Sequence, residues 1–357
     1  MVLSSGQEAV ILSTETAFNG TGGTARLVPF LTGSFSIEEN SEQVLNEGRR
    51  GIDAMHFVGP TEGVKWVEIS WDGIVQDGNT TDNMIVGYLI DNILGAGSNA
   101  SVVQIGSTGT YDHRLRLGTT KEYLCIKHRS LASSSDTVVS GCRVNNLSFT
   151  WNAAEGRLEY SVSLTGGAVT TDTVALATDN SGPHFMGWRA VVDFAGTGTS
   201  FARLISGEFT LTREVERFHT ASATIKTPTD IFLGPLEVTA GVVLGYTSAD
   251  DIADFRDADA TANQTKFKVY FTNDGIAEGH ASQAATSRAF GIGFGKAALN
   301  GGPAVFDGSG QFPKLAMSLT GLHNAGTGIW TSQGNAATST VRSPIEFQIL
   351  SAKTAAF

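Results

Sequence analysis

Charge is scarce in this sequence. Asp, Glu, Lys and Arg make up 17% of its 357 residues, against about 25% in an average globular domain. Long helices laced with i,i+4 ion pairs are therefore excluded as its main architecture. Two cysteines, Cys125 and Cys142, are too few to staple a chain of this length and have no metal-ligand spacing around them, which predicts folding inside a cell. Apolar runs are short. The longest, Met84 to Ala96, is broken by Asp91 and Asn92 and cannot cross ~30 Å of hydrocarbon, so no membrane association is expected. The opening residues lack the basic and apolar regions of a secretory signal. Lys and Arg number 24 against 35 Asp and Glu, a net charge of -11, and such a surface repels a phosphate backbone instead of displacing its counterions. Specific nucleic-acid binding is disfavoured.

Reactive constellations are missing as well. There is no G-x-S-x-G; Asp307-Gly-Ser-Gly310 has Asp where the nucleophile turn needs its first Gly, and it reads as a turn. Gly291-Ile-Gly293-Phe-Gly295-Lys296 resembles a phosphate loop but lacks the Walker spacer and carries Ala297 in place of the magnesium-binding hydroxyl. The seven histidines are scattered without an i,i+4 pair. Asp250, Asp251, Asp254, Asp257 and Asp259 lack the ligand order of a calcium loop and read as a solvated helix face near its positive end. Cys125 and Cys142 sit in apolar alternating stretches, where a thiol behaves as a small hydrophobe. Arg49-Arg50 and Lys127-His128-Arg129 are the basic clusters, read as solvated or rim positions. No catalytic residue, cofactor or metal is expected, and the chain is read as a non-enzyme.

What the sequence does have is glycine, 42 residues, together with 41% hydrophobic residues and 20 Phe. That is enough apolar area to offset the entropy of ordering the chain. The dominant period is two. Val67, Ile69 and Trp71 alternate with Glu68, Ser70 and Asp72; Leu147, Phe149 and Trp151 continue through a turn at 152–156 to Leu158, Tyr160, Val162 and Leu164; Phe209 and Leu211 alternate with Glu208 and Thr210; Phe267, Val269 and Phe271 with Lys268 and Tyr270. These are half-buried strands. A helix from Met84 to Leu94, capped by Asp82 and ended at Gly95, and a shorter one from Ser248 or Asp250 to Arg256, complete the elements.

The chain also repeats itself. Phe18-Asn-Gly-Thr-Gly22 with Ala25-Arg-Leu27 recurs as Phe194-Ala-Gly-Thr-Gly198 with Ala202-Arg-Leu204. Leu31-Thr-Gly-Ser-Phe-Ser-Ile37 recurs as Ile205-Ser-Gly-Glu-Phe-Thr-Leu211, and Phe57-Val-Gly-Pro60 as Phe232-Leu-Gly-Pro235. The offsets stay between 174 and 177. Ordered blocks at one offset predict two tandem copies of one unit, 1–175 and 176–357. The expected fold is all-β with minor α: two β-sandwiches, each with a flanking helix.

The order of elements in the first unit resembles the major tail tube proteins of long, non-contractile phage tails. The resemblance rests on the strand Gly33-Ser-Phe-Ser-Ile-Glu38, a polar stretch from Asn40 to Arg50, the return from Phe57 to Trp71, the helix Tyr88 to Gly95, and above all Ser140-Gly-Cys-Arg-Val-Asn-Asn-Leu-Ser-Phe149 followed by a strand ending Leu164-Thr-Gly166. The second unit carries it in Leu204 to Leu211 and Phe232 to Pro235, without a counterpart of Gly-Cys-Arg-Val. The resemblance implies subunits whose inner sheets join into a β-barrel around a lumen. For a duplicated chain it implies homotrimeric, pseudo-hexameric rings stacked into a tube for genome delivery. It also implies a tape-measure protein and tail tip or terminator proteins as partners, DNA that passes without specific binding, assembly in the host cytoplasm and a final place in the virion tail. Two rival classes remain open on sequence: a tail-associated carbohydrate-binding or depolymerising protein, and a capsid decoration protein.

Strand alternation assigns Glu68, Ser70, Asp72, Glu208, Thr210 and Thr212 to the face away from the core, and hence to the lumen in that reading. Two polar stretches, Asn40 to Met55 and Arg213 to Thr229, are read as long loops. Their charges Glu39, Glu42, Arg49, Arg50, Arg213, Glu214 and Arg217 are the expected ring-stacking contacts.

Overall fold

The computed structural model describes residues 8–20, 22–48, 56–78, 84–97, 101–104, 110–130, 136–154, 156–172, 181–194, 200–201, 204–222, 226–245, 265–272, 288–299, 305–307, 314–323, 343–351 and 357. The strands of the first half are β1 (Glu8–Glu15), β2 (Arg26–Val28), β3 (Ser36–Gly48), β4 (His56–Ile74), β5 (Gln76–Gly78), β6 (Ser101–Gln104), β7 (Tyr111–Arg116), β8 (Tyr123–Ser130), β9 (Asp136–Asn152), β10 (Leu158–Gly166) and β11 (Ala168–Asp172), with helix α1 (Ile85–Leu94) after β5. Those of the second half are β12 (Ser181–His184), β13 (Ala190–Phe194), β14 (Ser200–Phe201), β15 (Leu204–Phe218), β16 (Asp230–Gly245), β17 (Thr265–Thr272), β18 (Ala289–Leu299), β19 (Val305–Asp307), β20 (Lys314–Gly321) and β21 (Glu346–Ser351). All but β5 and β12, which form their own ribbon, belong to one branched antiparallel sheet.

The main run of that sheet is β3–β4–β10–β9–β15–β16–β20, continued by β19. It passes from the first half of the chain to the second without a break, because Ser206–Thr212 of β15 pair with Asn146–Asn152 of β9. The inward side chains are apolar: Trp71, Val162, Leu147, Leu211 and Val238 share one cross-strand row, and all are buried. A second layer, β14–β13–β17–β18–β21–β7–β6, covers this face. Phenylalanines fill the space between. Phe149 lies 5.4 Å from Phe290 and 5.8 Å from Phe347 by ring centroid, and Phe209 lies 5.3 Å from Phe294 and 5.9 Å from Phe267. Each such ring contributes on the order of 1.5–3 kcal/mol through burial.

β9 serves two parts of the sheet. Its later residues pair with β10 and β15, its earlier ones with β8 and β11. The change of partner falls beside Gly141, at φ 67°, a left-handed conformation that costs glycine nothing. A Cβ there would also lie 2.6 Å from the Phe18 ring. The Gly141 N–H donates to Glu15 Oε2 at 2.8 Å, and burial of that carboxyl pushes its pKa up to about 7. Cys125 and Cys142 are buried free thiols in the same region, and burial pushes Cys125 up to about 11.

Several expectations are corrected. The two polar stretches are strand over 40–48 and 213–218: β3 runs to Gly48 and β15 to Phe218, each in a long hairpin with β4 or β16. Polar residues on both strand faces conceal the period there, and register shifts after Ser41, Leu45 and Arg213 break it further. α1 is not a flanking helix. Every residue from Ile85 to Leu94 is buried, the N-cap is Met84 without a side-chain bond, and only the Gly95 stop, at φ 58°, is as expected. β17 is not half-exposed, since Lys268 and Tyr270 are buried along with Phe267, Val269 and Phe271; β13 and β18 flank it and the main run covers its phenylalanines. The glycine-rich 291–296 stretch is strand, paired with β17 and β21. Asp82, Arg49, Arg50, the acidic cluster 250–259 and the second helix lie outside the described residues.

The chain's last strand returns to the first half. β21 pairs with β7 in the register Glu346↔Arg116 through Ser351↔Tyr111. Arg116 Nη2 meets Glu346 Oε1 at 2.7 Å with both side chains about 5% exposed or less, and Gln348 Nε2 donates to Asp112 Oδ2 at 3.1 Å. The Phe357 ring packs on Tyr88 and His113 at 5.3 and 4.9 Å, over Gly87, whose missing Cβ leaves it room. Removing one partner of a buried ion pair strands the other charge. Glu346→Ala is expected to lower unfolding free energy by about 3–5 kcal/mol, and the double change Arg116→Met, Glu346→Leu to recover most of it; equilibrium denaturation measures both.

Candidate functional site

The outward face of the main run is polar in register. Asp72, Ser161, Ser148, Thr210, Thr239 and Thr320 occupy one row across six strands. Ser36, Ser70, Ser163, Asn146, Thr212 and Glu237 occupy the next. Glu68, Asp72, Glu208 and Thr212 are exposed, while Ser70 and Thr210 are half-buried by their neighbours. The structure thus brings the six residues expected on this face onto one surface. It adds Ser148 and Ser161, on strands legible in the sequence, and Thr239 on β16, which was not.

The charges of this face are unbalanced. Glu38, Glu68, Asp72, Glu159, Glu208 and Glu237 stand on it, with Arg157 paired to Glu159 at 3.3 Å and Lys314 at the far edge. Glu38 lies directly opposite Glu68, an arrangement that destabilises a sheet. Local bonds are modest: Trp66 Nε1 donates to Glu68 Oε1 at 3.2 Å, Thr210 Oγ1 to Glu208 Oε1 at 3.2 Å, and Asn146 Nδ2 to Thr212 Oγ1 at 3.3 Å.

Beyond the last row, β9 and β10 turn away and the two hairpins come together. The Lys65 N–H donates to the Lys226 carbonyl at 3.0 Å, and the Arg217 guanidinium lies 4.1 Å above the Trp66 ring. Phe218 and Phe232, 49% and 38% exposed, meet edge to face at 6.1 Å. Lys121 Nζ sits 3.8 Å over Phe232 and 3.1 Å from Asp230 Oδ2. The Tyr123 hydroxyl donates to Asp230 Oδ1 at 2.6 Å. Burial pushes the Asp230 carboxyl up, but Tyr123 and Lys121 outweigh it and hold the group below its ordinary range.

Glu39, Glu42, Glu214 and Arg217 are exposed on these arms. Arg213 is placed differently: its Nη1 donates to the Ile93 carbonyl at the end of α1 and its Nε to the Gly234 carbonyl, both at 2.8 Å. It ties the second arm to the helix. Trp66 and Phe218 were not singled out from sequence, and Phe232 only as part of a repeat; an aromatic in an otherwise polar strand was the available signal.

Among the described residues no three His, Cys, Asp or Glu side chains gather as a metal site, and no helix is long and apolar enough to cross a membrane. A long acidic face and two paired hairpins are features that a structural building block would present. The class becomes specific through the family model of the phage tail tube protein, which matches residues 6–311; the chain belongs to that family. No curated protein matches it. As a member it is a structural component of the virion tail, and its family self-assembles into a tube.

Arg213 is half-buried and carries two charge-assisted bonds, each worth about 1.5–3 kcal/mol. Arg213→Met is expected to destabilise the protein by about 2–3 kcal/mol and to raise amide exchange in β15 beyond Thr212 more than in β9, as hydrogen exchange would read.

Proposed function

We propose that three copies of the chain close into a ring, that the acidic sheet face lines its lumen, and that stacked rings form the conduit through which the viral genome leaves. The observation that carries this reading is the unbroken polar register from β3 to β20. Eight strands closed on themselves are filled by their own side chains, whereas about sixteen or more leave an aqueous channel. One copy's run, β3 to β19, is therefore a wall segment and needs further copies. Among the described residues β3 pairs only with β4, and such an edge is a template for another strand. In the ring it pairs with the β19–β20 side of the next copy, so no edge stays open.

The two halves act as quasi-equivalent units, 1–175 and 176–357, which makes three chains fill six positions. Repeated sequence blocks and the paired β3–β4 and β15–β16 hairpins support this. The arms stack one ring on the next, with Glu39, Glu42, Arg49, Arg50, Glu214 and Arg217 at the contact and Arg213 bracing it from below. Tape-measure and tip or terminator proteins start and end the tube, which assembles in the host cytoplasm.

Carboxylates set opposite each other cost stability, so their presence on this face is explained by function. A wall of carboxylates and hydroxyls repels a duplex bearing one charge per ~1.7 Å and keeps it hydrated as it slides. Removing residues 43–60 is expected to leave a folded, soluble protein that no longer extends into tubes; electron microscopy showing normal tubes would refute the stacking assignment. Replacing Glu68, Asp72 and Glu208 by Lys should permit tubes yet slow DNA ejection, most at low salt. Unchanged ejection kinetics in particles carrying the substituted tubes would place these residues off the DNA path.

A further inference from the structure

Residues 118–123 thread between the end of α1 and the second arm. The Gly118 N–H donates to the Leu94 carbonyl and the Thr120 N–H to the Gly95 carbonyl, both at 3.1 Å. The Glu122 carbonyl accepts from Asn92 Nδ2 at 2.8 Å and from Arg143 Nη1, while Lys121 and Tyr123 hold Asp230, which sits opposite Phe218 at the outer end of the arm. One short segment thus connects the helix terminus to the arm.

These bonds set the Glu122 side chain beside Asp91, in the last turn of α1. Asp91 is 2% exposed. Its Oδ1 accepts the Gly97 N–H at 3.2 Å, but its buried Oδ2 meets no conventional donor, and the polar group it faces is the Glu122 carboxyl. Ionised carboxylates only accept hydrogen bonds, so the contact holds together if one of the two carries a proton. The surrounding charges offset the contact only in part. Arg143 gives Nη1 to the Glu122 carbonyl while its Nε meets no acceptor, and its charge draws the Asp91 carboxyl down by less than burial and Glu122 push it up; Arg213 is bound to the Ile93 and Gly234 carbonyls, and Lys121, Tyr123 and Asp230 satisfy one another on the outer side.

We propose that the buried Asp91 carboxyl keeps its proton and donates it to Glu122, and that this bond locks the joint at which the second hairpin arm leaves the body. With it, Asp91 donates to Glu122 and 118–123 stays bonded to α1. Without it, a buried Asp91 carboxylate faces the half-buried Glu122 carboxyl, and the strain is relieved by parting the segment from the helix, which frees the arm. Burial, then Glu122, push the Asp91 carboxyl up to about 9 from an ordinary 3.8. The folded chain keeps a proton that the unfolded chain releases, so this contribution to stability is complete below about pH 4 and is lost as pH rises to about 9. The lock itself does not depend on the assembly reading; its consequence for stacking does.

The test compares the full chain with Asp91→Asn, which keeps the bond to Gly97, in buffers from pH 5 to 9 with and without chelator. The wild-type Tm is expected to fall by at least about 3 °C relative to Asp91→Asn across that range. Exchange of the Gly97 and Ile231 amides should rise at least about tenfold in the wild type alone. Glu122→Gln should likewise flatten the profile, which covers the case in which Asp91→Asn folds poorly. Parallel profiles for all three proteins would overturn the proposal, as would a wild-type Tm lowered by chelator and restored by calcium, because a cation would then bridge the pair. A pH step in a protein that never forms tubes would uphold the lock and sink the assembly reading; tubes without the step would do the reverse.

Discussion

The pairing of β9 with β15 is the constraint on which the rest of the structure depends. Seven residue pairs, from Ser206↔Asn152 to Thr212↔Asn146, weld the halves of the chain into one sheet and fix the register of both. Side chains alternate with a period of two, so a slip of one residue there would turn Phe209 and Leu211 outward and Glu208 and Thr210 into the core. The aromatic packing of Phe149 against Phe290 and Phe347, and of Phe209 against Phe267 and Phe294, penalises that slip heavily. Core packing and the polar face therefore specify each other.

β9 can play this part because it is long and bent. A straight strand of 17 residues would carry its whole length in one plane. The turn at Gly141 sends the first part to β8 and β11 and leaves the second for the main run. The space thus opened above β9 and β10 is where the two hairpins approach, with Lys65 bonded to Lys226 and Arg217 stacked on Trp66. Arg213 and the 118–123 segment then set the second hairpin relative to α1. The arms are held by polar contacts and the body by apolar ones, so the two respond to different conditions.

Much of this was legible in the sequence where one face of a strand is buried. Val67, Ile69 and Trp71 against Glu68, Ser70 and Asp72, and Phe209 and Leu211 against Glu208 and Thr210, give the strands and both faces. The signal vanished in two opposite cases. In the second arm neither face of β15 beyond Thr212 is buried, and β3 beyond Glu39 is polar on both faces, so both stretches read as loops. In β17 and α1 every side is covered, and no pattern separates buried from exposed. Cross-strand order was invisible too, since nothing local tells β9 to pair with β15 or β21 with β7. Arg213 looked like a surface charge because its partners are main-chain carbonyls, which leave no mark in composition.

The pairing of β21 with β7 has a consequence in time. During synthesis β7 is made first, and its partner follows some 230 residues later, the separation between Arg116 and Glu346. Until then β7 lacks a neighbour on that side, and Phe149 lacks Phe347. Contacts so distant in sequence form slowly. A chain that stops short of β21 therefore leaves β7 open along that side and exposes the row from Tyr111 to Arg116 to whatever strand meets it first.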